Sequence, residues 1–312
     1  MTTESAPLEL EPAGFRVQLL HRRRRDVTRK ELQNFWAKER APAALELARE
    51  LGFTRYTRID QVPHPNFLGT VMAGSRKFLA VELVALWTGK KLPALEGSPF
   101  PLESEEFDTI DEFHYDSVDR LLETLGSTEG LAAARKLAKV TGGAIERTSA
   151  VIGPQYQVIE RDAKSSTKVT FCLRRIADQD RERMQSYWLH QHGALVVSLQ
   201  PRLETRGYEQ VHAASHPNFP EVASALGATE LNVFEGTASL WYGSATSLKK
   251  TFLKAECQRA NFRLEEDELN FLDGQRCVLV FGSETTVEPN SGRVRVVDRS
   301  PPAVDSHTKS TN

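Results

Sequence analysis

The residues best placed to do chemistry in this sequence are histidines and their neighbours in the second half of the chain. His192 follows Trp188 by four residues. At about 100° of rotation per residue it falls on the helical stripe of Trp188, Leu195 and Val196. Gln191 shares that stripe, so a polar pair is set into an otherwise apolar face. A histidine buried there can be tuned to take and return a proton near neutral pH. It can equally be a core histidine whose hydrogen bonds are satisfied. His190, about 200° from Trp188 on the same wheel, is expected to face solvent.

The next segment, Tyr208-Glu209-Gln210-Val211-His212, reads as a strand with Tyr208, Gln210 and His212 on one face. Such a row suits a pocket wall that orients a polar substrate, and packing accounts for it as well. His216-Pro217-Asn218 reads as architecture: Asn218 can cap a helix with Glu221 three residues on, and Pro220 fits the first turn. His192, His212 and His216 could be drawn together around a metal, but no spacing demands it, and none is expected. Neither a glycine-rich phosphate loop nor a Ser-His-Asp signature is present.

The elements that position these residues occur twice. Phe35-Trp36 returns as Tyr187-Trp188, and His64-Pro65-Asn66-Phe67 as His216-Pro217-Asn218-Phe219, both at a register of 152. Tyr56 and Tyr208 keep that register. Further on, Phe113-His114-Tyr115 aligns with Leu240-Trp241-Tyr242 at a register of 127, so the first half carries about 25 extra residues. The insertion falls within residues 68–106 and reads as an apolar helix followed by a loop. Each half has an apolar first strand, a capped amphipathic helix (Thr28 with Glu31, and Asp180), two more strands, a second helix and a closing strand. That β-α-β-β-α-β order predicts an α+β fold: two tandem ferredoxin-like units whose sheets cover each other as one intramolecular barrel. The predicted units are 15–153 and 167–286, joined by a polar linker, with residues 1–14 and 287–312 as disordered tails.

Composition limits the function. The net charge of −2 gives no global field to hold a nucleic acid or an anionic membrane. Arg22 to Arg25 form a local basic run, read mainly as a solvated strand end. Cys172, Cys257 and Cys277 lack a CxxC spacing and argue against a disulfide framework or a zinc ribbon. No secretory signal and no stretch long enough to span a bilayer is read, so the expected location is cytoplasmic.

The motif order resembles the EthD-type dimeric α+β barrel family. The match lies in Tyr187-Trp188-Leu189-His190-Gln191-His192-Gly193 followed by Tyr208-Glu209-Gln210-Val211-His212. The resemblance implies an enzyme that works without a cofactor on a hydrophobic oxygenated aromatic or polyketide-like molecule. A lyase or isomerase is expected, of dehydratase, decarboxylase or cyclase type. His192 and His212 are then the catalytic candidates, and Tyr208, Gln210, Gln191, Trp188 and His216 the substrate-binding ones. The first half departs from the family pattern, with Arg40 in the place of His192. Arginine stays protonated, so the first half is expected to keep the scaffold without the chemistry. Because family members dimerise, the fused chain could itself pair with a second copy. The alternatives are a non-catalytic binding or accessory protein, and a histidine-ligated metal or haem enzyme.

Overall fold

A computed structural model describes residues 7–61, 107–289 and 293–295. The His64 to Phe67 repeat and the insertion at 68–106 lie outside the described residues. The strands are β1 (Gly14–Arg23), β2 (Arg55–Gln61), β3 (Thr109–Tyr115), β4 (Ile145–Ile159), β5 (Thr167–Leu173), β6 (Tyr208–His212), β7 (Glu230–Leu231), β8 (Gly236–Tyr242), β9 (Val278–Glu288) and β10 (Arg293–Arg295). Their pairing runs β1-β3-β2-β9-β5-β8-β6-β4, and β4 returns to β1. The circuit is a closed antiparallel barrel of eight strands, so neither half leaves a free sheet edge within it.

Closure depends on two long strands. β4 pairs with β1 of its own half up to Gln155, then with β6 of the other half from Gln155 to Ile159. β9 does the same between β5 and β2. Where each strand changes partner the backbones approach too closely for a side chain. A Cβ on Gly153 would lie 1.6 Å from the His212 carbonyl oxygen, and one on Gly282 1.8 Å from that of Asp60. Glycine is the residue that permits this contact.

These pairings correct two boundaries. The polar stretch expected as a linker from residue 153 is strand as far as Ile159, because an edge of the other half is there to receive it. The expected tail from 287 begins inside β9, and Arg293–Arg295 pairs back onto it from Arg293↔Glu288 to Arg295↔Thr286. At the other end, the Ala13 amide donates to Gln155, and Leu8 is held at the His190 carbonyl. Short polar segments order here because sheet edges and open backbone groups lie beside them.

Side chains alternate across the barrel wall. Outward residues such as Val17, Leu19, Val169 and Phe171 pack under helices. Inward residues fill the barrel. Part of it is apolar (Leu20, Ile59, Ile110, Val151, Val211, Val280). The rest is a charged cluster joining the halves. The Arg16 guanidinium donates to Glu209 at 2.7 Å, and the Lys168 ammonium donates to Glu112 at 2.7 Å. Gln18 and Thr57 complete the bonding of Glu112 at 2.8 and 2.7 Å. Among the described residues, no helix is long and apolar enough to cross a membrane.

Candidate active site

Asp180 caps the helix Arg181–Tyr187, its side chain accepting from the Arg183 amide, and Met184 anchors that helix in the core. The helix then widens into a π-helical turn, Trp188–His192, closed by the Gly193 amide on the Trp188 carbonyl. Trp36–Arg40 in the first half does the same, at the register of 152. Each residue of a π turn advances by less than an α-helical step. Gln191 therefore lags out to solvent, while His192 stays on the buried side with Trp188. The indole N–H of Trp188 donates to the Tyr208 hydroxyl at 3.0 Å, fixing the helix against β6.

Beneath this turn lies a cavity between the outward face of the second-half sheet and its helices, with about 690 Å³ of empty space when its opening to solvent is included. Its walls are mostly apolar, including Val169, Phe171, Val196, Leu240, Leu264 and Phe271. Trp188, Tyr208, His192, Asn261 and Glu268 bring polar atoms to it. His192 is 6% exposed, and its Nδ1 lies 2.8 Å from Asp267 Oδ2. Asp267 also accepts from the Tyr187 hydroxyl at 2.6 Å. Burial alone would raise the Asp267 carboxyl, but the His192 and Tyr187 hydrogen bonds outweigh it and hold the group below its usual range. The Tyr187 hydroxyl is pushed up to about 12 by burial and by Asp267. An ionised Asp267 keeps the His192 proton on Nδ1, which leaves the Nε2 lone pair as the proton acceptor.

Glu268, half-buried, behaves oppositely. Burial, with Glu265 and Asp267 nearby, pushes its carboxyl up to about 8, which favours the neutral acid near pH 7. Burial and Glu266 push Glu265 up to about 7.

The structure brings three of the expected residues to the cavity: Trp188, His192 and Tyr208. Gln210 stands behind them, its amide donating to the Tyr208 hydroxyl at 2.9 Å and to the Trp188 carbonyl at 3.2 Å. His212, expected as catalytic, does not line the cavity. It stacks on the far side of Trp188, with ring centroids 4.4 Å apart, and bonds Gln210 Oε1 at 2.8 Å. Burial pushes its pKa down to about 3, so it packs as a neutral ring. Gln191 is exposed for the helical reason given above. His216 lies half-buried on Phe219, accepting from the Asn218 amide at 3.2 Å. Asn218 begins the helix Phe219–Ala225 without a side-chain cap, because its backbone is already helical (φ −84°, ψ −15°) and not in the extended conformation that turns an N-cap side chain back onto the first turn. His190, expected in solvent, is half-buried against Leu8.

Asp267 and Glu268 were not found from the sequence. They end the helix Ala255–Glu268, whose first-half counterpart is Thr128–Thr141 at the register of 127. That register places Val140 opposite Asp267, Thr141 opposite Glu268 and Asp111 opposite Ala238. In the first half these positions form a plug. The Arg40 guanidinium, fully buried, donates to Asp111 at 3.0 Å and to the Leu137 carbonyl at 2.9 Å, and it also bonds Thr141. The second half has a shorter His192 for Arg40 and a methyl at Ala238 for the Asp111 carboxylate. Space opens where the ion pair stood, and two acids arrive at its rim.

Cys172, Cys257 and Cys277 are buried and form no disulfide among the described residues, and burial pushes the thiols of Cys257 and Cys277 up to about 12. Among the described residues, no group of three or more His, Cys, Asp or Glu is placed to hold a metal ion.

Comparison with known proteins gives a fold and a family. Among solved structures the chain is similar to an anthrone oxidase-like protein, with 10% identity and a TM-score of 0.54 over 93% of this chain and 100% of that one. It is also similar to a provisionally named monooxygenase from Lactobacillus acidophilus NCFM, at 6% identity and TM-score 0.42 over 89% and 97% of the two chains. A third, from Fusobacterium nucleatum and named likewise, shows 7% identity and TM-score 0.42 over 90% and 93%. No curated protein matches the chain. Residues 177–275 match the EthD domain family. The segment that carries His192, Asp267 and Glu268 thus lies within the part of the chain that is similar to EthD domains.

Proposed function

We propose that the cavity is the active site of an enzyme that moves a proton on a hydrophobic, oxygenated ring compound, with His192 as the base. One observation carries this reading: His192 sits in an apolar cavity with Nδ1 committed to an ionised Asp267, so only Nε2 remains for a ligand. That is the arrangement a general base needs. The reading favours a lyase or isomerase working without a cofactor, in which removal of a C–H or O–H proton starts dehydration, decarboxylation or cyclisation. Trp188 and Tyr208 face the substrate, and Gln210 and His212 hold those two in place. Oxidation of an enolisable ring ketone by dioxygen begins with the same proton removal, and anthrone oxidase-like is the name of the protein with similar fold.

The two halves are read as diverged copies of one ferredoxin-like unit, with strands in the spatial orders β4-β1-β3-β2 and β9-β5-β8-β6. On this reading the first half, plugged by Arg40 and Asp111, is scaffold. The test is a panel of ring ketones and phenols, scored for binding by thermal shift and for turnover with dioxygen consumption recorded. His192→Ala should keep ligand binding and lower turnover about 10²–10⁴-fold. A His192→Ala variant with unchanged kinetics refutes the assignment. Dioxygen uptake matched to turnover selects oxidation over elimination.

A further inference from the structure

Glu268 is the one acid that lines the cavity, and no hydrogen bond to its carboxyl is formed among the described residues. Its surroundings do not favour ionisation. Phe271, Leu272, Leu264 and Leu203 line the same space, and no arginine or lysine does. The titratable groups around it are Glu265 and Asp267 on its own helix, Tyr208 from β6, Tyr242 from β8 and Cys277 before β9, with His192 lining the same cavity. The negative ones repel a second negative charge, and none of the rest is a standing cation.

We propose that Glu268 acts as a neutral carboxylic acid, donating its O–H to the carbonyl oxygen of an enolisable ring ketone while His192 Nε2 takes the proton from the adjacent carbon. This rests on the assignment of His192 as the base. In the step, the C–H bond breaks and its electron pair becomes the new C=C bond. The carbonyl π pair moves to oxygen, where the Glu268 hydrogen bond stabilises it. The proton ends on Nε2, and His192 becomes an imidazolium held by Asp267. Nothing is oxidised, and the step reverses when the proton returns to carbon. The site therefore takes uncharged ketones and phenols. A carboxylate or phosphate on the ring finds no cation and meets the acids at the rim. The first half has Thr141 at this position, already bonded to Arg40, so only the second half holds the pair.

The experiment uses full-length protein and 2-tetralone, a bicyclic ketone with no group that ionises near pH 8. Deuterium uptake from D₂O is followed by mass spectrometry from pH 5 to 10. Wild-type exchange should fall near pH 8, where Glu268 ionises. Glu268→Gln, which still donates a hydrogen bond, should stay within about tenfold of wild type at pH 7 and lose the fall. Glu268→Leu should lose about 10²–10³-fold, the usual cost of one such donor. His192→Ala should show no catalysed exchange at any pH. If His192→Ala is dead while Glu268→Gln keeps the wild-type profile, this proposal fails and the base assignment stands. If the wild type neither binds nor exchanges 2-tetralone, both fail. Should the variants misfold by circular dichroism, the wild-type profile decides, and a rate that climbs without turning to pH 10 overturns the role of Glu268.

Discussion

Replacing Lys168 by methionine tests how the two halves hold each other, and with them β6 and the cavity wall. Lys168 and Glu112 are 1% and 0% exposed, come from opposite halves, and meet at 2.7 Å. Burial works against the Glu112 carboxylate, but Lys168 and then Arg16 outweigh it and bring its pKa from 4.5 down to about 2. At about 1.36 kcal/mol per pKa unit, that difference amounts to roughly 3 kcal/mol. Because the folded-state value is depressed, this stability is present above pH 4.5 and lost as pH falls through about 2. Lys168→Met leaves Glu112 with only Arg16 for charge, so it should cost about 3–5 kcal/mol at pH 7. Urea melts at pH 7 and pH 3 provide the assay. The variant should also lose less than wild type on acidification, since part of its loss has already occurred. Adding Glu112→Gln to Lys168→Met should restore much of the stability, because no buried charge is then left alone. A single variant within 1 kcal/mol of wild type at pH 7 would refute the reasoning.

Asp267→Asn should lower kcat more than it raises KM and shift the pH profile, since a neutral amide in place of the carboxylate no longer fixes the His192 tautomer; an unaltered profile speaks against a positioning role. Transplanting the first-half plug as His192→Arg with Ala238→Asp should close the cavity, so retained binding of a ring ketone by thermal shift contradicts the plug argument. Arg40→Ala should destabilise by about 3 kcal/mol, because the buried Asp111 loses its nearest cation and keeps the Trp36 indole N–H, at 2.7 Å, as a neutral donor, and denaturation reads it. Residues 7–159 and 160–295, expressed separately, should be insoluble or associate with each other; two stable monomers on a sizing column would argue against a shared barrel.

How much of this was legible in the sequence follows from the range of each interaction. The repeat at 152 was readable because it lies in local patterns: the capped helix, Trp36 and Trp188, Tyr56 and Tyr208. The barrel's closure was less so. Gln155 to Ile159 look like linker because their partner strand, β6, begins some fifty residues later and belongs to the other half. Val294 and its neighbours look like tail for the same reason. Nothing local states that an edge is waiting. The charged filling of the barrel was hidden similarly, since Arg16, Glu112, Lys168 and Glu209 each read as a surface charge within its own strand.

The site shows the same divide. That Trp188, His192 and Tyr208 come to one cavity was legible because two of them share one helical stripe and the third repeats in both halves. Gln191 was placed wrongly because an α-helical wheel was applied to a π turn. His212 shares a strand face with Tyr208 but not its cavity, because its ring stacks on the Trp188 indole. Asp267 and Glu268 were missed because a run of acids at a helix end is ordinary on a solvated face. The signal lay in comparing the two halves at the register of 127, where an apolar Val140 and a small Thr141 become two acids just as Arg40 and Asp111 become His192 and Ala238. These four differences remove one buried ion pair and bring His192, Asp267 and Glu268 together at the cavity. On the proposed function the chemistry then belongs to the second half, while the first half, with its Arg40–Asp111 pair intact, contributes strands that close the barrel.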